Sequence, residues 1–171
     1  MTTERGKPPR GTAKDRALRL LGARWRSRAE LDQRLRRAGF EPEDIAAALA
    51  DLERAGLIDD ARFARAVVGD QAGQRLAGDR AIRAALYQKG VSADVADAAL
   101  AGAGDEADRA LQLARKRAAR LTGLDPSTAF RRLYGLLLHR GFASPTAVEA
   151  CRAALAEALA PLEASEDDLS L

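Results

Sequence analysis

Few side chains in this sequence have the type and spacing that catalysis needs. His139 is the only histidine, and Asp59 and Asp60 form an adjacent acidic pair. Such groups can act as general acids and bases, but adjacent aspartates ahead of an apolar helical pattern more often cap a helix. The motifs H-E-x-x-H, G-x-x-x-x-G-K-S/T and G-x-S-x-G do not occur. The sequence therefore predicts a protein that is not an enzyme and that needs no cofactor or metal.

The single cysteine offers no stronger case for chemistry. Cys151 lies in an apolar helical pattern, and one cysteine can form neither an internal disulfide nor a zinc site. A small buried hydrophobic residue is expected here rather than a reactive thiol.

Clustered basic side chains are better candidates for function. Arg80 and Arg83 are one helical turn apart, Tyr87 follows a turn later, and Lys89 lies beside a glycine. A forked guanidinium group suits contacts with carboxylate or phosphate. Similar groups recur along the chain. The predicted partner-binding residues are Arg34, Arg37, Arg80, Arg83, Tyr87, Lys89, Arg115, Lys116, Arg131 and Arg140.

The only tryptophan, Trp25, lies between two arginines. An aromatic ring flanked by positive charges could stack on a nucleobase. A tryptophan between two helical segments more often fills the space between them, so we expect Trp25 to be a packing residue.

Three near-copies of one segment indicate how these residues are positioned. LRRAGF at Leu35–Phe40, LYQKGV at Leu86–Val91 and LLHRGF at Leu137–Phe142 each lie 51 residues apart. In every copy an aliphatic residue stands four positions before the first leucine, and a glycine stands four positions after it. This pattern predicts a helix that ends at a glycine with positive φ. The predicted structural residues are Gly39, Gly90, Gly141, Phe63, Ile82 and Leu86.

The repeat predicts an all-α protein of three tandem three-helix repeats that form an elongated, curved array. Runs of strand-forming residues are missing. Ser27 with Glu30 predicts a capping box, Asp79 a helix cap, and 73–78 a loop. Ala107, Leu111, Ala114 and Ala118 predict the buried face of the seventh helix. The predicted organisation is a disordered basic arm at 1–13, repeats at 14–58, 59–102 and 105–160, and an acidic tail at 161–171.

The charges are segregated along the chain. Residues 1–40 hold 12 basic and 4 acidic side chains, a net charge of +8, whereas residues 41–60 have a net charge of −6. Alternating blocks suit a polyanionic or a charged protein partner, although ion pairs within the molecule would produce the same pattern. The beginning of the sequence has no apolar signal segment, and no apolar run is long enough to span a membrane. We expect a cytoplasmic monomer.

Several linked motifs resemble the RecX family of regulatory proteins. They are S-x-x-E-L at Ser27–Leu31, the Gly39-Phe40 turn, L-I-D-D-x-x-F-A at Leu57–Ala64, R-x-I-R-x-x-L-x-x-K-G at Arg80–Gly90 and R-G-F at Arg140–Phe142. The resemblance extends over about residues 14–156. It implies a three-repeat protein that binds in the groove of the RecA filament on single-stranded DNA. It also implies inhibition of the filament's ATPase, strand exchange and co-protease activities.

The resemblance favours Arg80, Arg83 and Lys89 as residues that touch the partner. Direct contact with DNA is a further expectation from the resemblance. The alternative from the residues alone is a helical array that binds nucleic acid without sequence preference, supported by the basic arm, Trp25 and the arginine clusters. A helical scaffold for an unrelated protein is a further alternative.

Overall fold

The computed structural model describes residues 11–159, and within them the chain is entirely helical. The predicted all-α fold of three-helix units is therefore confirmed. The arm and tail predicted at 1–13 and 161–171 lie outside the described residues, except for 11–13. The α-helices of the described part are α1 (Ala13–Ala23), α2 (Arg28–Arg37), α3 (Pro42–Arg54), α4 (Asp60–Gly69), α5 (Asp79–Gln88), α6 (Ala93–Leu100), α7 (Glu106–Ala118), α8 (Pro126–His139) and α9 (Ser144–Leu159).

Short polar side chains begin most of these helices. Thr12 and Asp15 form a reciprocal capping box at α1, which the sequence reading missed. At α2 the predicted box is half formed: Ser27 accepts a hydrogen bond from the Glu30 amide at 3.1 Å, but the Glu30 carboxylate turns to Arg24 instead. A nearby guanidinium competes successfully because an ion pair is stronger than a return bond to a neutral amide.

The contacts divide the chain between two compact units. Of the described residues, the first unit holds 11–75 together with Ala81–Ala103, and the second holds Leu76–Arg80 and 104–159. The boundary falls inside α5, after Arg80. The repeat boundaries derived from the sequence stay predictions.

Long aliphatic side chains form the core of the first unit. Ile45, Leu49 and Leu52 of α3 are almost completely buried beside Leu31 and Leu35 of α2. These positions recur every three or four residues, so each helix presents one apolar stripe to the others. Phe63, Ile82 and Leu86, predicted as structural residues, are buried as well.

The core of the second unit is built largely from small side chains. Ala110, Leu113 and Ala114 of α7 pack with Cys151 and Ala154 of α9. Of the face predicted for α7, Ala114 and Ala118 are buried and Leu111 packs against the core, whereas Ala107 is exposed. Arg109, which is 5% exposed, also lies inside the unit. Arginine is rarely buried, so the apolar pattern of the sequence does not place Arg109 there.

One prediction for the segment between α4 and α5 holds in part, and another is wrong. The chain continues from α4 as a π-helical turn, Asp70–Gln74, so the loop expected at 73–78 is confined to residues 75–78. Asp79 is the first residue of α5 and not its cap. Its carboxylate forms an ion pair with Arg109, which explains why it does not fold back on its own helix.

In the described part of the chain no helix is long and apolar enough to cross a membrane.

The three predicted glycine turns share one backbone conformation. Gly39, Gly90 and Gly141 have φ values of +85°, +70° and +86°. These values lie in the left-handed region that side chains disfavour. In each turn the backbone amide of the residue after the glycine donates a hydrogen bond to the backbone carbonyl of the first leucine of the segment, at 3.2 or 3.3 Å. The hydrophobic residue after the glycine is thereby turned back onto the helix that has just ended.

Each unit contains a joint in which the start of one helix meets the glycine turn of the next repeat. In the first unit the hydroxyl of Ser27 donates to the carbonyl of Lys89. In the second unit the amide of Gly78 donates to the carbonyl of Arg140 at 2.9 Å. Residues 27 and 78, and residues 89 and 140, are related by the same 51-residue period. The repeat of the sequence is therefore also a repeat of tertiary contacts.

A second bond recurs at both joints. The amide of Arg28 donates to the Asp60 carboxylate, and the amide of Asp79 donates to the Glu106 carboxylate, each at 2.8 Å. Arg28 and Asp79 begin α2 and α5, while Asp60 and Glu106 begin α4 and α7. A carboxylate at a helix N-terminus satisfies an unpaired amide and complements the helix dipole.

Candidate partner-binding surface

Three basic side chains act on one carboxylate in the first unit, and a fourth acts on one of the three. The guanidinium group of Arg24 lies 2.6 Å from Glu30, and that of Arg26 lies 3.7 Å from it. The charge of Lys89 also acts on Glu30, and that of Arg34 acts on Arg26. We call Arg24, Arg26, Arg34, Lys89 and Glu30 the basic cluster.

The pKa shifts in the basic cluster indicate an excess of positive charge. Partial burial raises the pKa of Glu30, but the hydrogen bond from Arg24 and the charges of Lys89, Arg24 and Arg26 outweigh burial and hold the pKa below its ordinary value. Burial lowers the pKa of Arg26, and the charges of Arg24 and Arg34 lower it further while Glu30 opposes them. Glu30 is therefore ionised at neutral pH, and its single negative charge faces the positive charges of Lys89, Arg24 and Arg26.

The first joint positions the basic cluster. Ser27 is completely buried, and its hydroxyl accepts from the Glu30 amide while donating to the Lys89 carbonyl. One small side chain thus begins α2 and also attaches the glycine turn of the second repeat. Gly90 comes within contact distance of Ala29 in the first turn of α2, so a larger residue there would overlap it. These contacts fix the turn that carries Lys89, whose charge acts on Glu30.

The structure leaves two predicted arginines of the first unit available to a partner. Arg34 and Arg37 lie exposed in the last turn of α2, and within the described residues neither forms an ion pair. Tyr87 is 72% exposed. Arg83 is exposed but pairs with Asp97 at 2.8 Å, and Lys89 is half-buried.

Most of the predicted residues of the second unit form hydrogen bonds with other residues of that unit. Arg80 donates to the carbonyl of Leu138 at 2.9 Å, and Arg115 makes two 2.7 Å hydrogen bonds to Glu157. Arg131 donates to Thr128, and Arg140 is half-buried with its carbonyl in the second joint. Lys116 is exposed. The sequence could not anticipate the partners of Arg80 and Arg115 because these partners come from distant segments.

The acidic pair that could have acted in catalysis accepts hydrogen bonds at the starts of helices instead. Asp59 caps α4 by accepting from the Arg62 amide, and Asp60 accepts from Arg28 at the first joint. His139 is exposed. Cys151 is buried, and burial raises the pKa of its thiol to about 11, so it is not a nucleophile at neutral pH. Among the described residues no group of side chains could hold a metal ion.

Two features of this surface escaped the sequence reading. Arg26 is 8% exposed and donates to the carbonyl of Leu20, so it anchors the cluster from below. Trp25 does not fill a space between helices; it is 45% exposed, with the guanidinium carbon of Arg62 3.9 Å from its ring centroid. The clustering of arginines around Trp25 was visible in the sequence, but not which of them turn inward.

Fold and surface together define a protein of three-helix repeats without a catalytic constellation in its described part. Comparison with known families identifies the repeats. The model described as "RecX, first three-helix domain" matches residues 13–52, and "RecX, second three-helix domain" matches residues 59–100.

Full-length relatives give the same assignment. The regulatory protein RecX of Mycobacterium avium is 45% identical over 143 residues, which are 81% of this chain and 82% of the relative. That of Chlorobaculum tepidum is 36% identical over 148 residues, which are 86% of this chain and 91% of the relative. The chain belongs to the RecX family of regulatory proteins.

Solved structures of the family have the same fold. The crystal structure of RecX from Lactobacillus salivarius superposes with a TM-score of 0.76 at 23% identity and covers 83% of this chain and 94% of that one. A second RecX crystal structure superposes with a TM-score of 0.70 at 26% identity and covers 78% of this chain and 68% of that one.

Proposed function

We propose that this chain binds the filament that RecA forms on single-stranded DNA, in the cytoplasm and as a monomer. Bound there, it inhibits the ATPase, strand exchange and co-protease activities of the filament. The observation that carries the proposal is the basic cluster, in which Arg24 and Arg26 of one repeat and Lys89 of the next act on Glu30, while Arg34 acts on Arg26. Such a surface, together with membership of a regulatory family, supports a macromolecular partner.

Acidic side chains of the filament protein fit this surface better than bare phosphates do. Proteins that bind single-stranded DNA combine a basic groove with several aromatic platforms. In the described residues Trp25 and Tyr87 are the exposed aromatic side chains, and Arg62 covers one face of the Trp25 ring. The block at 41–60, with its net charge of −6, would repel a nucleic-acid backbone. This chain carries both basic and acidic surfaces, so it favours as its partner a protein surface that also carries charges of both signs.

Repetition explains how modest contacts would give firm binding. Each repeat presents arginines, and once one repeat is bound, its tether raises the effective concentration of the next. Exposed charge pairs are individually weak and are screened by salt. We therefore expect affinity for the filament to fall steeply with ionic strength.

The test is reversal of the two available arginines. The double variant Arg34→Glu/Arg37→Glu should bind the RecA–single-stranded DNA filament roughly 10- to 100-fold more weakly, because each reversal replaces an attraction by a repulsion. Inhibition of ATP hydrolysis should require correspondingly more protein. Affinity is measured by co-sedimentation with the filament, and inhibition by titration of the ATPase.

Arg16→Glu/Arg65→Glu is the matched control. It makes the same change of charge at two exposed arginines of the first unit that lie on α1 and α4. The control should bind like the unmodified protein, and circular dichroism should give equal helix content for both variants. If the two variants lost affinity for the filament equally, the loss would come from the change in net charge and not from the positions of Arg34 and Arg37. If the protein bound naked DNA tightly and RecA did not change that binding, the result would instead support the alternative of a nucleic-acid-binding helical array.

A further inference from the structure

An apolar groove lies on the surface of the first unit. It has a volume of about 390 Å³ and is lined by Leu18, Leu21, Gly22, Trp25, Gly56, Leu57 and Arg62. Leu18, Trp25 and Leu57 are 41%, 45% and 49% exposed. They are three of the five large hydrophobic side chains exposed in the described part of the chain. Apolar side chains concentrated around one groove are typical of an interaction site.

We propose that this groove docks a segment of the filament protein in which a large apolar side chain stands next to a carboxylate. The identity of the partner rests on the proposed function. The groove is lined by residues other than those of the basic cluster, and it adds an apolar anchor to a surface that otherwise offers charges.

The charge of the groove selects the carboxylate. Arg62 is its one charged wall, and within the described residues the guanidinium group of Arg62 has no acidic partner; its contact is with the ring of Trp25. Resting on the indole ring, the guanidinium group is fixed at the rim while its edge stays free for a two-pronged bond to a carboxylate.

The same contact argues against a nucleobase as the occupant. Arg62 covers one face of Trp25 at 3.9 Å, which takes up a stacking surface. The other walls are leucines and glycines, which offer a nucleic-acid backbone no positive charge. A polypeptide with mixed apolar and acidic character matches every wall.

Two glycines keep the groove open. A Cβ atom at Gly22 or at Gly56 would meet no atom within 4 Å. Gly22 lies within α1, where glycine is otherwise unfavourable. A larger residue at Gly22 therefore has room to enter the groove, and it should leave the fold intact or more stable.

The test fills the groove. Gly22→Leu should weaken binding to the RecA–single-stranded DNA filament about 10-fold or more, because its side chain occupies the space of the anchor. Gly135→Leu is the control, since Gly135 also lies within a helix with no atom near its Cβ position. Arg62→Glu should weaken binding as well, whereas Arg65→Glu, one turn further along α4, should not. Thermal unfolding confirms that all four variants are folded.

A direct readout uses Trp25, the only tryptophan of the chain. Replaced biosynthetically by 7-azatryptophan, it can be excited apart from tryptophans of a partner, and acrylamide quenching then measures access to the groove. Quenching should fall when the protein is bound to the filament. Unchanged quenching in protein that co-sediments, or unimpaired binding of Gly22→Leu, would overturn the groove while leaving the proposed function intact. Loss of quenching with naked DNA alone would also overturn it, and absence of co-sedimentation would defeat both proposals.

Discussion

Replacement of Gly90 by alanine tests the first joint, and its cost can be worked out in two parts. Gly90 has a φ of +70°, and an alanine in the left-handed region costs about 1–2 kcal/mol. The added methyl group would also lie well inside the ~3.5–4.0 Å separation at which carbon atoms attract, because it meets the Cβ atom of Ala29. Relief of such an overlap costs about 1–3 kcal/mol. Gly90→Ala should therefore lower the free energy of unfolding by about 2–5 kcal/mol.

Gly39 isolates the backbone part of this cost. It occupies the same position in the first repeat with a φ of +85°, and a Cβ atom there would meet nothing within 4 Å. Gly39→Ala should cost only about 1–2 kcal/mol. The difference between the two alanine variants then measures the packing of the joint.

A second change should restore the room that Gly90→Ala takes away. Ala29→Gly removes the overlapped Cβ atom at a cost of about 0.5–1 kcal/mol in helix α2. In the double variant the overlap vanishes, so the two changes should be less harmful together than their sum by about 1–3 kcal/mol. Urea unfolding followed by circular dichroism measures all four proteins of the cycle. Equal costs for Gly39→Ala and Gly90→Ala, with strict additivity in the double variant, would refute the packing assigned to the joint.

Three further predictions concern buried and capping groups. Arg109→Met should lower the free energy of unfolding by about 3 kcal/mol in urea titrations, because it leaves the Asp79 carboxylate and two carbonyl groups without their donor; an unchanged midpoint would contradict this. Hydrogen bonds from Thr128 and Ser127 lower the pKa of Asp125 to about 2, so its stabilising effect is complete above about pH 4 and is lost as the pH falls through about 2. The difference in Tm between the unmodified protein and Asp125→Ala should accordingly be constant from neutral pH to about pH 5 and shrink below about pH 4, and a difference that widened in acid would reverse the assigned sign. Since burial raises the pKa of Cys151 to about 11, Ellman's reagent should label it at mildly alkaline pH only after unfolding, and fast labelling of the folded protein would show that the thiol is accessible.

The helices and their ends could be predicted because their causes are local. The recurrence of aliphatic residues at three- and four-residue spacing placed Leu31, Leu35 and Ile82 correctly in the core. The left-handed turns at Gly39 and Gly90 followed from a glycine after each stripe. A helix, a cap and a turn each depend on residues a few positions apart, so the order of side chains contains the necessary information.

The partners of the arginines could not be predicted in the same way. Arg80 donates to a carbonyl 58 residues away, Arg109 reaches residues 77 and 79 in a buried site, and Arg26 turns inward while Arg24 stays exposed. Desolvation and hydrogen bonding decide whether a guanidinium group is structural or available, and both depend on neighbours that are distant in sequence. Of the ten predicted partner-binding residues, the structure therefore directs the first test to Arg34 and Arg37.

The sequence by itself determined a helical protein with a 51-residue repeat, because periodic apolar stripes and glycine stops act within single helices. Only the tertiary structure decided what the period accomplishes. It joins position 27 to 89 and position 78 to 140, through a hydroxyl donor in the first pair and an amide donor in the second. At the first of these joints, basic side chains from two repeats act on Glu30. The tertiary structure also left Trp25 on an open groove, since a side chain goes to the core or the surface according to the space its neighbours leave.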